Sequence, residues 1–167
     1  RACGLRVLAF ILLEASGARP SSIHGLTLGD LHFLGDGRDF LHIHRTGEYG
    51  EAKTLASVGF VRLEGIIWEK YRDWVLTWLS QERDLSGPDL WKRPVFADSA
   101  GSRRRLDRSY LTDRIGQLLK WATGEPKARV YWLRKRRITA RMEAALENSE
   151  AVPRVVYRAM REAGHTG

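Results

Sequence analysis

The sequence predicts an α+β domain, mainly helical, with a small three-stranded antiparallel sheet. Three observations predict it. Apolar residues recur at helical spacing in stretches centred on Leu8, Trp74, Ile115 and Met142. Two short alternating segments, 31–34 and 40–44, flank Gly35-Asp36-Gly37-Arg38-Asp39, the pattern of a hairpin with a glycine-bearing loop. A third strand-like segment, 58–63, follows a polar turn at 46–52. At 167 residues and 43% apolar content, the chain supports one domain with a real core.

Each element has its own signal. Leu5, Leu8, Ala9, Leu12 and Leu13 define a first helix, which Gly17 stops in a left-handed conformation. Pro20 is preset for the first turn of a short second helix over 20–25. The alternating segments then form the sheet. His42 and His44 share one strand face, and no third metal ligand is apparent beside them. A half-exposed sheet face is therefore the expectation, with no metal. A helix over 64–81 buries Ile67, Tyr71, Trp74, Val75 and Trp78. Residues 83–105 are loop-rich, with Trp91 and Pro94-Val95-Phe96 expected to dock on the core. Leu111, Ile115, Leu118, Leu119 and Ala122 mark the next helix, ended near Gly124 and Pro126. A helix through about Leu146 turns Ile138, Met142, Ala145 and Leu146 inward, with Arg134, Arg137 and Arg141 on another stripe. Pro153 opens a last helix to about Glu162.

Charge points to the partner. The chain carries +8, yet residues 92–141 hold 15 Lys+Arg against 4 Asp+Glu, a net of +11, leaving −3 elsewhere. Such asymmetry argues for one basic surface and an anionic partner. Within it, Arg134-Lys135-Arg136-Arg137 follows Val130-Tyr131-Trp132-Leu133. Four adjacent cations are expected to face water or an anion, because unpaired charge in a dry core costs too much. Trp132 and Leu133 are expected to pin this stretch to the core. The exposed run Ser102-Arg103-Arg104-Arg105 suits phosphate contacts, and a solvated loop is equally compatible. Cys3 is the only cysteine, which excludes an intrachain disulfide and fits a reducing compartment. The longest apolar run, 7–13, is far too short to cross a bilayer. No signal peptide is visible. The chain begins at Arg1 and reads as a piece of a longer protein.

Four segments together resemble the tyrosine recombinases, the phage integrase family. Gly17-Ala18-Arg19, followed by a short helix and Leu26-Thr27-Leu28-Gly29-Asp30, resembles the family's first box, with its first catalytic arginine at Arg19. Ala52-Lys53-Thr54 before the third strand looks like the hairpin that carries the catalytic lysine. Tyr131-Trp132-Leu133-Arg134 is similar to the second box, with the second catalytic arginine at Arg134. Gly164-His165 is similar to the pair that supplies the last histidine. The resemblance spans essentially the whole chain in the family's order. It departs in two places: Tyr131 stands where the family usually has histidine, and Ser22 where an acidic residue is common.

The resemblance implies the DNA breaking-rejoining fold and a single catalytic domain over 1–167. The N-terminal DNA-clamping domain and the nucleophile-bearing tail are expected outside it. Arg19, Lys53, Tyr131, Arg134 and His165 would form the catalytic set. Arg103, Arg104, Arg105, Lys135, Arg136, Arg137 and Arg141 would grip DNA. The nucleophilic tyrosine would follow His165, and Tyr157 reads as packing. The implied reaction cuts and rejoins duplex DNA through a 3′-phosphotyrosyl link that conserves bond energy, so it needs no cofactor and no metal. Double-stranded DNA is the implied partner, with self-association on DNA, no membrane, and a cytoplasmic, nucleoid-associated setting in a bacterium or phage. Alternatives are a catalytically inactive DNA-binding protein of the same fold, a type IB topoisomerase-like enzyme, and a basic RNA-binding or structural protein.

Overall fold

The computed structural model describes residues 2–44, 59–83, 85–86, 88–99 and 102–147. Lys53, Tyr157 and His165 lie outside the described residues, as do the turn at 46–52 and the helix expected from Pro153.

Helix α1, Ala2–Ser16, is apolar around most of its circumference, and Leu5, Leu8, Ile11, Leu12 and Ala15 are all buried. A helix apolar on every side belongs at the centre. The second helix α2 (Pro20–Gly25), α3 (Ile66–Glu82), α4 (Arg108–Thr123) and α5 (Tyr131–Glu147) pack around it. Gly17 ends α1 with φ +66°, and its amide donates to the Leu13 carbonyl at 2.9 Å. Both bounds of α2 follow the sequence expectation, because Gly17 and Pro20 are backbone signals that need no tertiary help.

Strands β1 (Leu31–His32), β2 (Phe40–Ile43) and β3 (Gly59–Arg62) form the antiparallel sheet in the order β1-β2-β3. The register pairs Leu31 with Leu41, and Leu41 with Val61, on the core face. The opposite face carries His32, Phe40, His42 and Phe60, with His32 stacked on Phe40 at 4.7 Å. Gly35, Asp36 and Gly37 turn the hairpin with positive φ. The buried Asp39 ties that turn down. Its carboxylate accepts from the Gly35 amide at 2.9 Å, Trp68 Nε1 at 3.0 Å and Arg72 Nε at 2.6 Å.

That carboxylate explains a correction in α3. Tyr71 is exposed, and Trp68 is buried in its place, alongside Val75, Trp78 and Leu79. The inward stripe 68/72/75/79 includes an arginine, which sequence periodicity assigns to water. Asp39 neutralises Arg72, so Trp68 and Arg72 join a face on which Val75 and Trp78 are buried and Ile67 and Trp74 pack against the core, as expected. Helix α4 buries Leu111 and Ile115, while Leu118 and Ala122 are exposed. Its N-terminus is capped by Asp107, which accepts from the Ser109 and Tyr110 amides, and Gly124 closes it at φ +67°. In α5, Leu146 is exposed, while Ile138, Met142 and Ala145 are half-buried.

The loop before α4 is fastened by backbone bonds: Leu28 N–H to Arg93 at 2.8 Å, Val95 N–H to Leu26 at 3.0 Å and Leu106 N–H to Phe96 at 2.8 Å. Val95 and Phe96 are fully buried, as expected. Trp91 does not dock. It is exposed, with its indole N–H donating to the Pro88 carbonyl at 2.9 Å.

Candidate nucleic-acid interface and phosphate site

The Gly17 turn launches Arg19 at the N-cap of α2, where Pro20 fixes the direction of the next helix. Ser16 Oγ supports the turn by accepting the Ala18 amide at 3.1 Å. On the other side, Leu133 and Val130 anchor the start of α5 in the core, whereas Trp132 is exposed. The anchor is thus Val130 and Leu133, not the Trp132-Leu133 pair. Arg134, in the first turn of α5, reaches back 117 residues and donates from Nη1 to the Gly17 carbonyl at 3.2 Å. The structure therefore brings the two predicted catalytic arginines together from opposite ends of the described chain.

Arg134 is only 2% exposed, so of the two settings expected for the cationic run, water or an anion, it does not take the first. Its Nε and Nη2 have no hydrogen-bond partner among the described residues. Burial lowers the Arg134 pKa from the ordinary arginine value, and the Arg19 guanidinium beside it lowers it further; the Tyr131 hydroxyl acts in the opposite direction. Two guanidiniums that repel each other, one with unpartnered buried N–H groups, carry a desolvation cost of about 1–3 kcal/mol per group or more. A phosphate's oxygens accept such forks bidentately. The cost would be offset by an anion in that position. Tyr131 is exposed at the rim of this site and can donate a hydrogen bond to it.

Periodicity divides the remaining cations. Arg137 and Arg141 follow Arg134 on the inward stripe and are held by Glu64, at 2.8 Å from Arg137 Nη2 and 2.7 Å from Arg141 Nε. Arg137 also lies against two glycines. A Cβ at Gly65 would stand 2.5 Å from its Nη1, and one at Gly17 would stand 3.1 Å from its Cγ. Arg137 therefore braces the turn that launches Arg19. Burial lowers its pKa, and Glu64 works against that. Lys135 and Arg136 point outward and are exposed. In the loop, Arg103 and Arg104 are 69% and 86% exposed in their side chains. Arg105 is half-buried and donates to the His24 and Leu26 carbonyls at 2.9 and 3.1 Å. A groove of ≈ 440 Å³ between α4 and the start of α5 is edged by Lys120, Arg129 and Tyr131.

One cluster was missed in the sequence. Asp30 is buried, and its Oδ1 lies 2.9 Å from His44 Nδ1 and 3.9 Å from His42 Nδ1. Asp30 is thus the third group that the His42/His44 pair lacked. Its position in the first box was visible, but not its reach to β2. Lys53 and His165 lie outside the described residues, so their distance from Arg19 and Arg134 is not part of this geometry.

No family model and no curated protein sequence matches the chain. Solved structures do match it. XerA recombinase is similar with a TM-score of 0.55 and 17% identity, over 100% of this chain and 54% of that one. The Tn1549 transposon integrase in complex with transposon right end DNA gives a TM-score of 0.55 at 16% identity, over 96% of this chain and 50% of that one. The same integrase with circular intermediate DNA gives 0.53 at 16% identity, over 96% and 55%. The chain therefore spans about half the length of these proteins. What is shared at this identity is the fold. The mainly helical domain with a three-stranded antiparallel sheet is the fold of integrases and recombinases, as the sequence resemblance implied.

Proposed function

We propose that the chain is the catalytic domain of a tyrosine recombinase, which binds duplex DNA and cuts and rejoins strands through a 3′-phosphotyrosyl intermediate. The observation that carries this is the buried Arg134 set beside Arg19, with its Nε and Nη2 unpaired among the described residues. In the proposed reaction, negative charge gathers on the nonbridging oxygens as the phosphorane forms. Arg19 and Arg134 clamp those oxygens and stay charged at any working pH. Tyr131 donates a hydrogen bond where the family uses histidine. Lys53 protonates the leaving 5′-oxygen, and His165 assists the phosphate or the attacking phenol. The nucleophile is a tyrosine that follows His165. Arg103, Arg104, Lys135 and Arg136 supply backbone affinity independent of sequence. The protein self-associates on its DNA, as recombination joins two duplexes.

The replacement of histidine by Tyr131 favours a second reading, a DNA-binding protein of this fold without catalysis. One experiment separates the two. The full-length protein is incubated with a nicked duplex that traps the covalent complex. Arg134→Lys keeps the charge and loses the bidentate fork. Trapping should fall about 100-fold, while duplex affinity stays within about threefold because the charge that displaces counterions is unchanged. If the variant traps DNA as fast as the parent, Arg134 has no catalytic role. A parent that binds and never traps is the inactive form.

A further inference from the structure

We propose that Asp30, His42 and His44 form a binding site for a divalent transition-metal ion of the zinc class, fastening the end of β2 to the turn after α2. One ligand atom from each residue lies within 4.8 Å of the others. A tetrahedral ion with bonds of about 2.1 Å sets its ligand atoms about 3.4 Å apart. The two carboxylate–imidazole distances, 2.9 and 3.9 Å, straddle that value, so small side-chain rotations complete the geometry.

The site is built rather than incidental. Asp30 is buried, and its other oxygen, Oδ2, is already engaged by the Thr27 amide at 2.8 Å and the Thr27 hydroxyl at 2.7 Å. Such outer hydrogen bonds orient a ligating carboxylate and leave its other oxygen, Oδ1, turned toward the two imidazoles. His42 and His44 stand two apart at the end of β2, so both imidazoles leave the same face, and their rings are 5.4 Å apart. Beside the three lies a cavity of ≈ 10 Å³, lined also by Ser22 and Gly25. That is room for about one water, the fourth ligand of a three-residue zinc site. Two imidazoles and a carboxylate suit zinc, cobalt or nickel rather than the oxygen-seeking magnesium or calcium. An ion here would tie α2, which opens at Arg19, to the strand that leads toward Lys53.

The proposal is independent of the recombinase reading, because its test needs no DNA. The chelator-stripped chain is titrated with Zn²⁺ by calorimetry and with Co²⁺ by visible absorption. We expect saturable binding of one equivalent and a rise in Tm with Zn²⁺. His42→Ala and His44→Ala should each abolish the Tm rise and weaken binding at least about tenfold; Thr27→Val, which removes one outer hydrogen bond, should weaken it about tenfold. His32→Ala, on the same sheet but outside the cluster, should leave it unchanged. His42→Gln and His44→Gln serve if an alanine variant fails to fold. The proposal is overturned if the parent shows no saturable binding at micromolar Zn²⁺. It is equally overturned if His42→Gln/His44→Gln binds as the parent does, which would place the ion on Cys3 or another histidine.

Discussion

Two basic runs of nearly the same composition meet opposite fates. Arg103 and Arg104 stand in solvent, paired only loosely with Asp89 and Asp98 at 3.5 and 3.8 Å. On α5, Arg134 is buried, while Arg137 and Arg141 keep only 11% and 12% of their side chains exposed. The loop leaves Arg103 and Arg104 in water and turns only Arg105 back, onto the His24 and Leu26 carbonyls. A helix sends every third or fourth one inward, where each needs a partner or a purpose. Arg137 and Arg141 have Glu64. Arg134 has one carbonyl, and beyond it the proposed phosphate. A count of positive charge therefore says little about which cations stay open to an anion; the helical phase and the nearest carboxylate decide.

This contrast can be broken at the carboxylates. The largest effect is expected at Asp39, the fully buried partner of Arg72. Asp39→Asn should destabilise the fold by about 3 kcal/mol, because it strands a charge rather than removing a pair. Glu64→Gln should cost somewhat less, about 2 kcal/mol, since Glu64 is one-third exposed and water takes over part of its role. Urea midpoints check both. If Glu64→Gln costs no more than Asp98→Asn in the loop, pairing is not what separates the two runs.

Acid sharpens the same point. Burial raises the Asp39 pKa, but the hydrogen bonds from Arg72, Gly35 and Trp68 outweigh it, so the net shift is downward from 3.8. The unfolded chain then binds the proton more readily. The stability Asp39 contributes is complete above pH 3.8 and is lost as pH falls through its folded value. His24 behaves alike in a higher window. Burial lowers its pKa from 6.5, with Arg105 and Arg108 adding to the effect and the bond to the Leu106 carbonyl opposing it. Stability should therefore begin to fall below pH 6.5, as the unfolded chain takes up a proton that the buried imidazole beside those arginines resists, and the loss should be complete once pH passes the folded value. Urea titrations across pH should show both steps, the upper one absent in His24→Gln.

The smallest stability effect belongs to the loop. Arg103→Ala and Arg104→Ala should each change stability by less than about 0.5 kcal/mol. Each should lower the salt slope of duplex binding by about one. Filter binding across a salt series measures this. An unchanged slope would remove the loop from the DNA interface.

Much of this was readable beforehand, for reasons that differ by residue. Gly17, Pro20 and the Gly35-Asp36-Gly37 turn state their backbone geometry locally, and the elements they bound appeared where expected. Their boxes singled out Arg19 and Arg134, which the fold sets beside one another. What the chain did not disclose depends on distant partners. Arg72 looks like a surface residue until Asp39, 33 positions away, neutralises it, so the burial of Trp68 in place of Tyr71 was not legible. Nothing local in the sequence discloses the bond of Arg141 to Glu64, 77 positions away. Burial of Arg134 runs against the ordinary cost of dry charge, and only its neighbours make sense of it. Asp30 had a visible place in its box, and its bond to His44 depends on how β2 lies against that turn.

The bond from Arg134 to the Gly17 carbonyl closes a loop of 117 residues. Closure entropy rises with loop length, so a contact of such sequence separation needs the packing of the intervening chain to offset it. Both arginines therefore reach their working distance only when the rest of the domain is in place. A partly folded chain has its exposed loop cations but no assembled clamp. In a refolding experiment, loose binding of an oligonucleotide should return early, while protection of Arg134 from guanidine-specific modification should return only with the slowest phase. The long contact thus acts as a checkpoint in time, withholding the paired arginines until the fold that holds them is complete.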